Sequence, residues 1–363
     1  MSERELIDSA RTLLNAAVAE RIFPAAVAEV GRSDQALWRE AFGTLSFQPG
    51  ARRTGEETIF DLASLTKPIA TTSVVLQLAA TRRITLQTTV SASFPEWSGA
   101  DREIATIQDL LEHAAGLAPR LIDAPPVGRR EFEHEICTMP LEYAPRTQSI
   151  YSDLGFILLG FVAEDRGEAP LAKQFASILD HVTALTRGAN DTSLLTFGVP
   201  PDRQTHTAPT VPLQDDVRRG RTLVGEVHDN YAAALGGVAG HAGLFGTAGS
   251  IGSYARAVLR GARGDVSIPT PLSPALVAVA TRKSTVPGSS RALGWDTMLP
   301  SSSCGTGMSP AAFGHAGFTG TSLWIDPILD RYFVLLTNRA CGGGTSEQMQ
   351  IVRRRFHDLM AKF

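Results

Sequence analysis

The sequence predicts an α+β protein: an antiparallel β-sheet built from both chain termini with flanking helices, and a mainly helical region inserted between its strands. Two observations predict it. Short apolar runs bounded by turn residues sit near each end of the 363-residue chain, while the segments between them carry helical periodicity and little strand signal. A single sheet made from both ends, with helices packed on it, is the assembly that buries these faces.

The chain opens on residues 3–20, where Leu6, Ala10, Leu13, Leu14, Ala17 and Val18 recur at helical spacing and predict an amphipathic helix. Residues 25–30 and 36–42 are short and apolar, with turn chemistry at 31–34, and read as a β-hairpin. Residues 64–80, 107–113, 154–163 and 251–260 read as helices. Near the other end, 321–325 and 332–337 read as strands separated by Asp326-Pro327 and Asp330, and 346–360 as a closing helix. The expected division is 1–62 with 285–363 for the sheet part and 63–284 for the helical part. A stretch at about 184–249, rich in Pro, Gly, Asp and Thr, is expected to form an ordered loop wall beside a cleft.

Composition narrows the function classes. Apolar residues at 43% and charged residues at 20% describe an ordinary folded protein rather than a disordered or fibrous one. A net charge of −3 without a basic cluster predicts no nucleic-acid partner. No run is long and apolar enough to predict a membrane span, and the charged start lacks a signal-peptide core, so a cytoplasmic location is expected. Cys137, Cys304 and Cys341 are odd in number and widely spaced, which predicts reduced thiols.

Three short motifs carry chemistry. In Ser64-Leu65-Thr66-Lys67, positions i and i+3 share one helix face, so an amine can reach a hydroxyl and take its proton. Lysine is scarce, at Lys67, Lys173, Lys283 and Lys362 only. Unlike arginine, a desolvated lysine can shed its charge and act as a base. The second motif, Tyr151-Ser152-Asp153, precedes an apolar helix; a phenol beside an ammonium is expected to have a lowered pKa and to relay protons. The third, Gly314-His315-Ala316-Gly317-Phe318-Thr319-Gly320-Thr321, is a small-residue run entering a strand, where an edge amide can face a developing oxyanion.

In this order the motifs resemble the serine β-lactamase and penicillin-binding-protein superfamily, closest to the class C-like branch that includes D-amino-acid peptidases and carboxylesterases. The resemblance extends through Phe60-Asp61-Leu62-Ala63, through 107–113 with Gly116-Leu117, and through 151–160, and covers about residues 20–340. It implies a β-lactamase/transpeptidase-like fold and a serine hydrolase that works through an acyl-enzyme on ester or amide bonds. Ser64 is then the nucleophile, Lys67 its base partner and Tyr151 the proton shuttle. The amides of Ser64 and Phe318 form the oxyanion hole, and Asp153, His315 and Gly317 contact substrate.

Two positions depart from the β-lactamase pattern. Asp153 stands where asparagine is usual, placing an anion near Lys67, and His315 stands where lysine is usual, removing a permanent cation. Both favour an esterase or peptidase over a true β-lactamase, which stays open as an alternative beside a non-catalytic binder of cell-wall fragments. The expected partner is a small ester, amide or peptide, with no cofactor. His228, Asp229 and His241 match no standard ligand spacing, so no metal is expected and loop bracing or substrate contact is. Oligomeric state is left open.

Overall fold

A computed structural model describes residues 2–122, 124–183 and 194–363. The first ten residues of the expected wall at 184–249 therefore lie outside the described residues.

Helix α1 (Glu3–Ala19) starts on a reciprocal capping box between Ser2 and Glu5 and buries Leu6, Ala10, Leu14 and Ala17. Strands β1 (Ala25–Gly31) and β2 (Ala36–Gly43) form the expected hairpin. After the short strand β3 (Phe60–Asp61), the segment expected as one helix is built in three pieces: a tight turn Ala63–Leu65, a wide turn Lys67–Thr71 and helix α2 (Thr72–Ala80). Pro68 lies within the wide turn, where it supplies no N–H to a regular helical ladder.

The inserted region continues with helices α3 (Ile107–Leu111), α4 (Gly128–Thr138), α5 (Asp153–Gly167) and α6 (Leu171–Thr183). Strand β4 (Leu195–Phe197), helix α7 (Asn230–Ala234), strand β5 (Leu244–Gly246), helix α8 (Ala248–Ala262) and helix α9 (Pro274–Ala280) follow. Helix α5 is apolar on every side, and Leu154 through Ala163 are all buried, as expected of a helix at the centre of a core. Thr247 caps α8 by accepting from Ser250 N.

The chain closes with strands β6 (Asp296–Thr297), β7 (Phe313–Ala316), β8 (Ser322–Asp326) and β9 (Arg331–Thr337) and helix α10 (Ser346–Met360). The six-stranded sheet has the order β2-β1-β9-β8-β7-β6, antiparallel throughout. Strand β1 pairs with β9, so both ends of the chain meet in one sheet, as the sequence predicts. One face packs on α1 and α10 through Ala10, Leu14, Phe333 and Phe356, and the other joins the larger helical core through Val27, Val334 and Ile251. A second, three-stranded sheet, β3-β5-β4, lies in the middle of the chain. Its strands have at most three residues, too short for a period-2 pattern to register in the sequence.

Candidate active site

Ser64 stands on the tight turn that follows β3, and the backbone around it is held from three directions. Ala63 adopts a left-handed φ of 47°, uncommon for a residue with a Cβ and costly unless its surroundings enforce it. Asp61 supplies part of that enforcement: Oδ1 accepts from Ala63 N at 2.8 Å and Oδ2 from His228 N at 2.6 Å. Burial pushes the Asp61 carboxyl up to about 6 against the pull of these two amides. From the β7–β8 loop, Thr319 Oγ1 donates to Asp61 O at 2.7 Å and Thr321 Oγ1 to Leu62 O at 3.0 Å. Gly317 makes this approach possible, because a Cβ there would collide with Thr321 Oγ1 and the Leu62 carbonyl.

The three sequence motifs converge on one hydroxyl. Lys67 Nζ lies 3.1 Å from Ser64 Oγ and Tyr151 Oη lies 2.7 Å from it. Lys67 is wholly buried and spends its other donors on Asp153 Oδ1 at 2.8 Å and the His241 carbonyl at 3.1 Å. Asp153 begins α5, which directs its carboxylate back toward Lys67; its second oxygen accepts from Arg120 Nη1 at 2.8 Å. The backbone N–H groups of Ser64 and Phe318 find no hydrogen-bond acceptor among the described residues.

Electrostatics reverses two of the sequence expectations. Burial acts to depress Lys67, but the Asp153 carboxylate and Tyr151 outweigh it and hold the amine above the ordinary lysine value, which favours its charged form. For Tyr151, burial raises the phenol more than the Lys67 ammonium lowers it, so its pKa lies above the usual value rather than below. Burial also acts to raise Asp153, and Lys67, His241 and Arg120 overcome it, leaving the carboxyl below its normal range.

His315 sits on β7 with its ring centroid 5.8 Å from that of Tyr151. Burial, Arg291 and Lys67 push it well below the usual histidine value, so it is neutral where a lysine would be charged. His113 is held neutral in the same way and accepts from Ser152 N through Nδ1 at 3.1 Å, which orients the approach to Tyr151.

Two cavities open from Ser64 and Tyr151. One, of about 520 Å³, is lined by His315, Gly317, Phe318, Arg291, Arg339 and Arg353, among others. The other, of about 220 Å³, runs past Phe318, Leu213, Arg120, Asp153 and Asp229. Phe318 separates them, 48% exposed, stacked on His228 at 5.3 Å and covered by the Arg339 guanidinium at 4.7 Å.

Asp153, Asp229 and His241 bring ligand atoms within 4.8 Å of one another. Both carboxylates already accept from Arg120, and Asp153 also from Lys67, so a cation entering here would face two resident positive charges. His228 does not join that group; its Nε2 lies 3.1 Å from the Val211 carbonyl and braces a loop. The sequence reading did not single out Arg120, His113 or Arg291.

A family model described as Beta-lactamase matches residues 10–354. A protein of Escherichia coli (strain K12) named "Putative D-alanyl-D-alanine carboxypeptidase" is 29% identical over 342 residues, covering 85% of this chain and 76% of the relative. Among solved structures, EstCE1, a hydrolase with promiscuous acyltransferase activity, superposes with a TM-score of 0.75 at 18% identity, covering 98% of this chain and 99% of that one. A class C beta-lactamase from Rhodobacter sphaeroides gives a TM-score of 0.73 at 16% identity with the same coverage. The fold is that of the beta-lactamase/transpeptidase group, and the chain belongs to the beta-lactamase family of serine hydrolases.

Proposed function

We propose that Ser64 is the nucleophile of a metal-free hydrolysis of ester or amide bonds through an acyl-enzyme, with Tyr151 as the proton carrier and Lys67 as a fixed ammonium. The observation that carries this reading is the placement of Lys67 Nζ at 3.1 Å and Tyr151 Oη at 2.7 Å from Ser64 Oγ on the wall of an open cleft. Lys67 donates to three acceptors and so offers Ser64 no lone pair. The base is Tyr151 in its phenolate form, which burial opposes and the Lys67 ammonium favours, so that activity rises toward alkaline pH.

As Ser64 Oγ bonds to the substrate carbonyl carbon, its proton passes to Tyr151 Oη, and the developing oxyanion takes the N–H groups of Ser64 and Phe318. Collapse breaks the bond to the leaving group, which departs with the proton from Tyr151. Water then repeats the cycle on the acyl-enzyme and restores Ser64.

The larger cleft favours a substrate with a carboxylate. Arg339 and Arg353 line it, their guanidinium groups donating to the Phe318 carbonyl and to the Gly317 and Thr321 carbonyls. Arg353 is pushed down to about 9 by burial, and its Nε has no partner. A peptide with a free C-terminal carboxylate suits these arginines, in line with the carboxypeptidase name carried by the relatives.

The test is labelling by a fluorophosphonate probe, followed by a panel of p-nitrophenyl ester, D-alanyl-D-alanine peptide and β-lactam. Label on the wild type and none on Ser64→Ala, with the ester and peptide turned over faster than the β-lactam, is expected. Equal labelling of both proteins overturns the assignment.

A further inference from the structure

Beneath the nucleophile, five side chains and one carbonyl close a ring. Lys67 Nζ donates to Asp153 Oδ1 at 2.8 Å, and Asp153 Oδ2 accepts from Arg120 Nη1 at 2.8 Å. The same Nη1 reaches Asp229 Oδ2 at 2.9 Å, Asp229 Oδ1 lies 2.7 Å from His241 Nε2, and the His241 carbonyl accepts from Lys67 at 3.1 Å.

Three consecutive residues grip the guanidinium in the middle of this ring. Asp229 takes Nη1, Asn230 Oδ1 takes Nη2 at 2.6 Å, and the Tyr231 ring lies 3.9 Å beneath it. Asp229 is itself fixed as the cap of α7, accepting from Ala232 N at 2.8 Å. The His241 Nδ1 is buried without a partner, so the tautomer that leaves least unpaired carries its proton on Nε2 and donates it to Asp229. Around the ring Lys67 and Arg120 alternate with the carboxylates of Asp153 and Asp229.

We propose that Asp229 is a positioning residue for the hydrolysis: by sharing Arg120 it leaves the charge of Asp153 available to Lys67 and so maintains Lys67 as a three-donor ammonium beneath Ser64. The role in hydrolysis rests on Ser64 being the nucleophile; the ring does not. The remaining charged or titratable groups around Lys67 are Tyr151, the neutral His113 and His315, and Arg291 over the Tyr151 ring. None of them touches Asp229 in the ring. Without Asp229, Arg120 bears on Asp153 alone and weakens its hold on Lys67. Without Arg120, Asp153 serves Lys67 alone.

The chain has lysines only at 67, 173, 283 and 362, so carbon-13 lysine labelling gives a readable set of Cε signals, with Lys67 assigned by its loss in Lys67→Met. Asparagine remains a good helix cap, so Asp229→Asn preserves the start of α7. The expected result is a Lys67 titration above 10.5 in the wild type, lowered about tenfold in proton affinity by Asp229→Asn and raised by Arg120→Gln. An unmoved midpoint in Asp229→Asn overturns the proposal. So does a downward shift in both variants, the sign of a loosened site. Because the readout is the lysine itself, it stands whatever the fluorophosphonate labelling of Ser64 shows.

Discussion

Replacing Asp153 with asparagine tests whether its charge sets the pH at which the site becomes active. The amide keeps the volume and one acceptor oxygen for Lys67 at 2.8 Å but removes the charge and the second acceptor that Arg120 uses at 2.8 Å. An opposite charge within hydrogen-bond distance moves a pKa by about 1–3 units, and sharing with Arg120 puts this site toward the lower part, about 1–2 units. The sign follows from what Asp153 favours: it stabilises the Lys67 ammonium and opposes the Tyr151 phenolate, so removing it lowers both values. The rising alkaline limb of kcat/KM for p-nitrophenyl acetate therefore moves to lower pH by about 1–2 units in Asp153→Asn. Its plateau falls, because a phenolate of lower pKa is a weaker base. The assay is stopped-flow release of p-nitrophenolate from neutral to alkaline pH, corrected with Ser64→Ala. A limb that stays in place, or moves to higher pH, refutes the reasoning. The Lys67–Asp153 pair also carries linkage. Because the lysine is raised in the fold, its stabilisation is fully present below 10.5 and is lost as pH rises through the raised value.

Other perturbations test other parts of the account. If Phe318 contributes its amide to the oxyanion, Phe318→Ala keeps kcat within a few-fold and changes KM, whereas Phe318→Pro, which lacks the N–H, loses about 10²–10³ in kcat; steady-state kinetics on one ester distinguishes them. Gly240→Ala drives a Cβ into the Phe156 carbonyl on α5 and disturbs the segment that presents the His241 carbonyl to Lys67. A loss of about 1–3 kcal/mol in urea unfolding, with a fall in turnover, is expected. His357 is buried and held down to about 3, below its ordinary 6.5. Its contribution to stability is therefore present above pH 6.5 and lost as pH falls toward 3. That loss is on the order of 4 kcal/mol, and urea midpoints of His357→Gln across this range are expected to fall less than those of the wild type.

The architecture was legible where long elements alternate or repeat. The 25–43 hairpin, the strands at 322–337 and the helices at both ends all follow from patterning and turn residues. The β3-β5-β4 sheet was not, because its strands are too short to carry a period. Of the site, Ser64, Lys67 and Tyr151 were readable because each sits in a compact motif whose spacing has a chemical reason. What patterning could not supply was the sign of two pKa shifts. Those depend on burial and on the Asp153 carboxylate, which meets Lys67 across 86 residues of chain and leaves no local trace. The aspartate at position 153 was visible as a departure, but its consequence for Lys67 emerges only once the 2.8 Å contact is seen.

The central claim is that Ser64 becomes acylated. Rapid acid quenching of the wild-type protein during turnover of p-nitrophenyl acetate, followed by peptide mass spectrometry, tests it directly. An acetyl group on Ser64, absent from Ser64→Ala, is the predicted result; a burst of p-nitrophenolate from the wild type with Ser64 unmodified, or with the acetyl group on another residue, contradicts it.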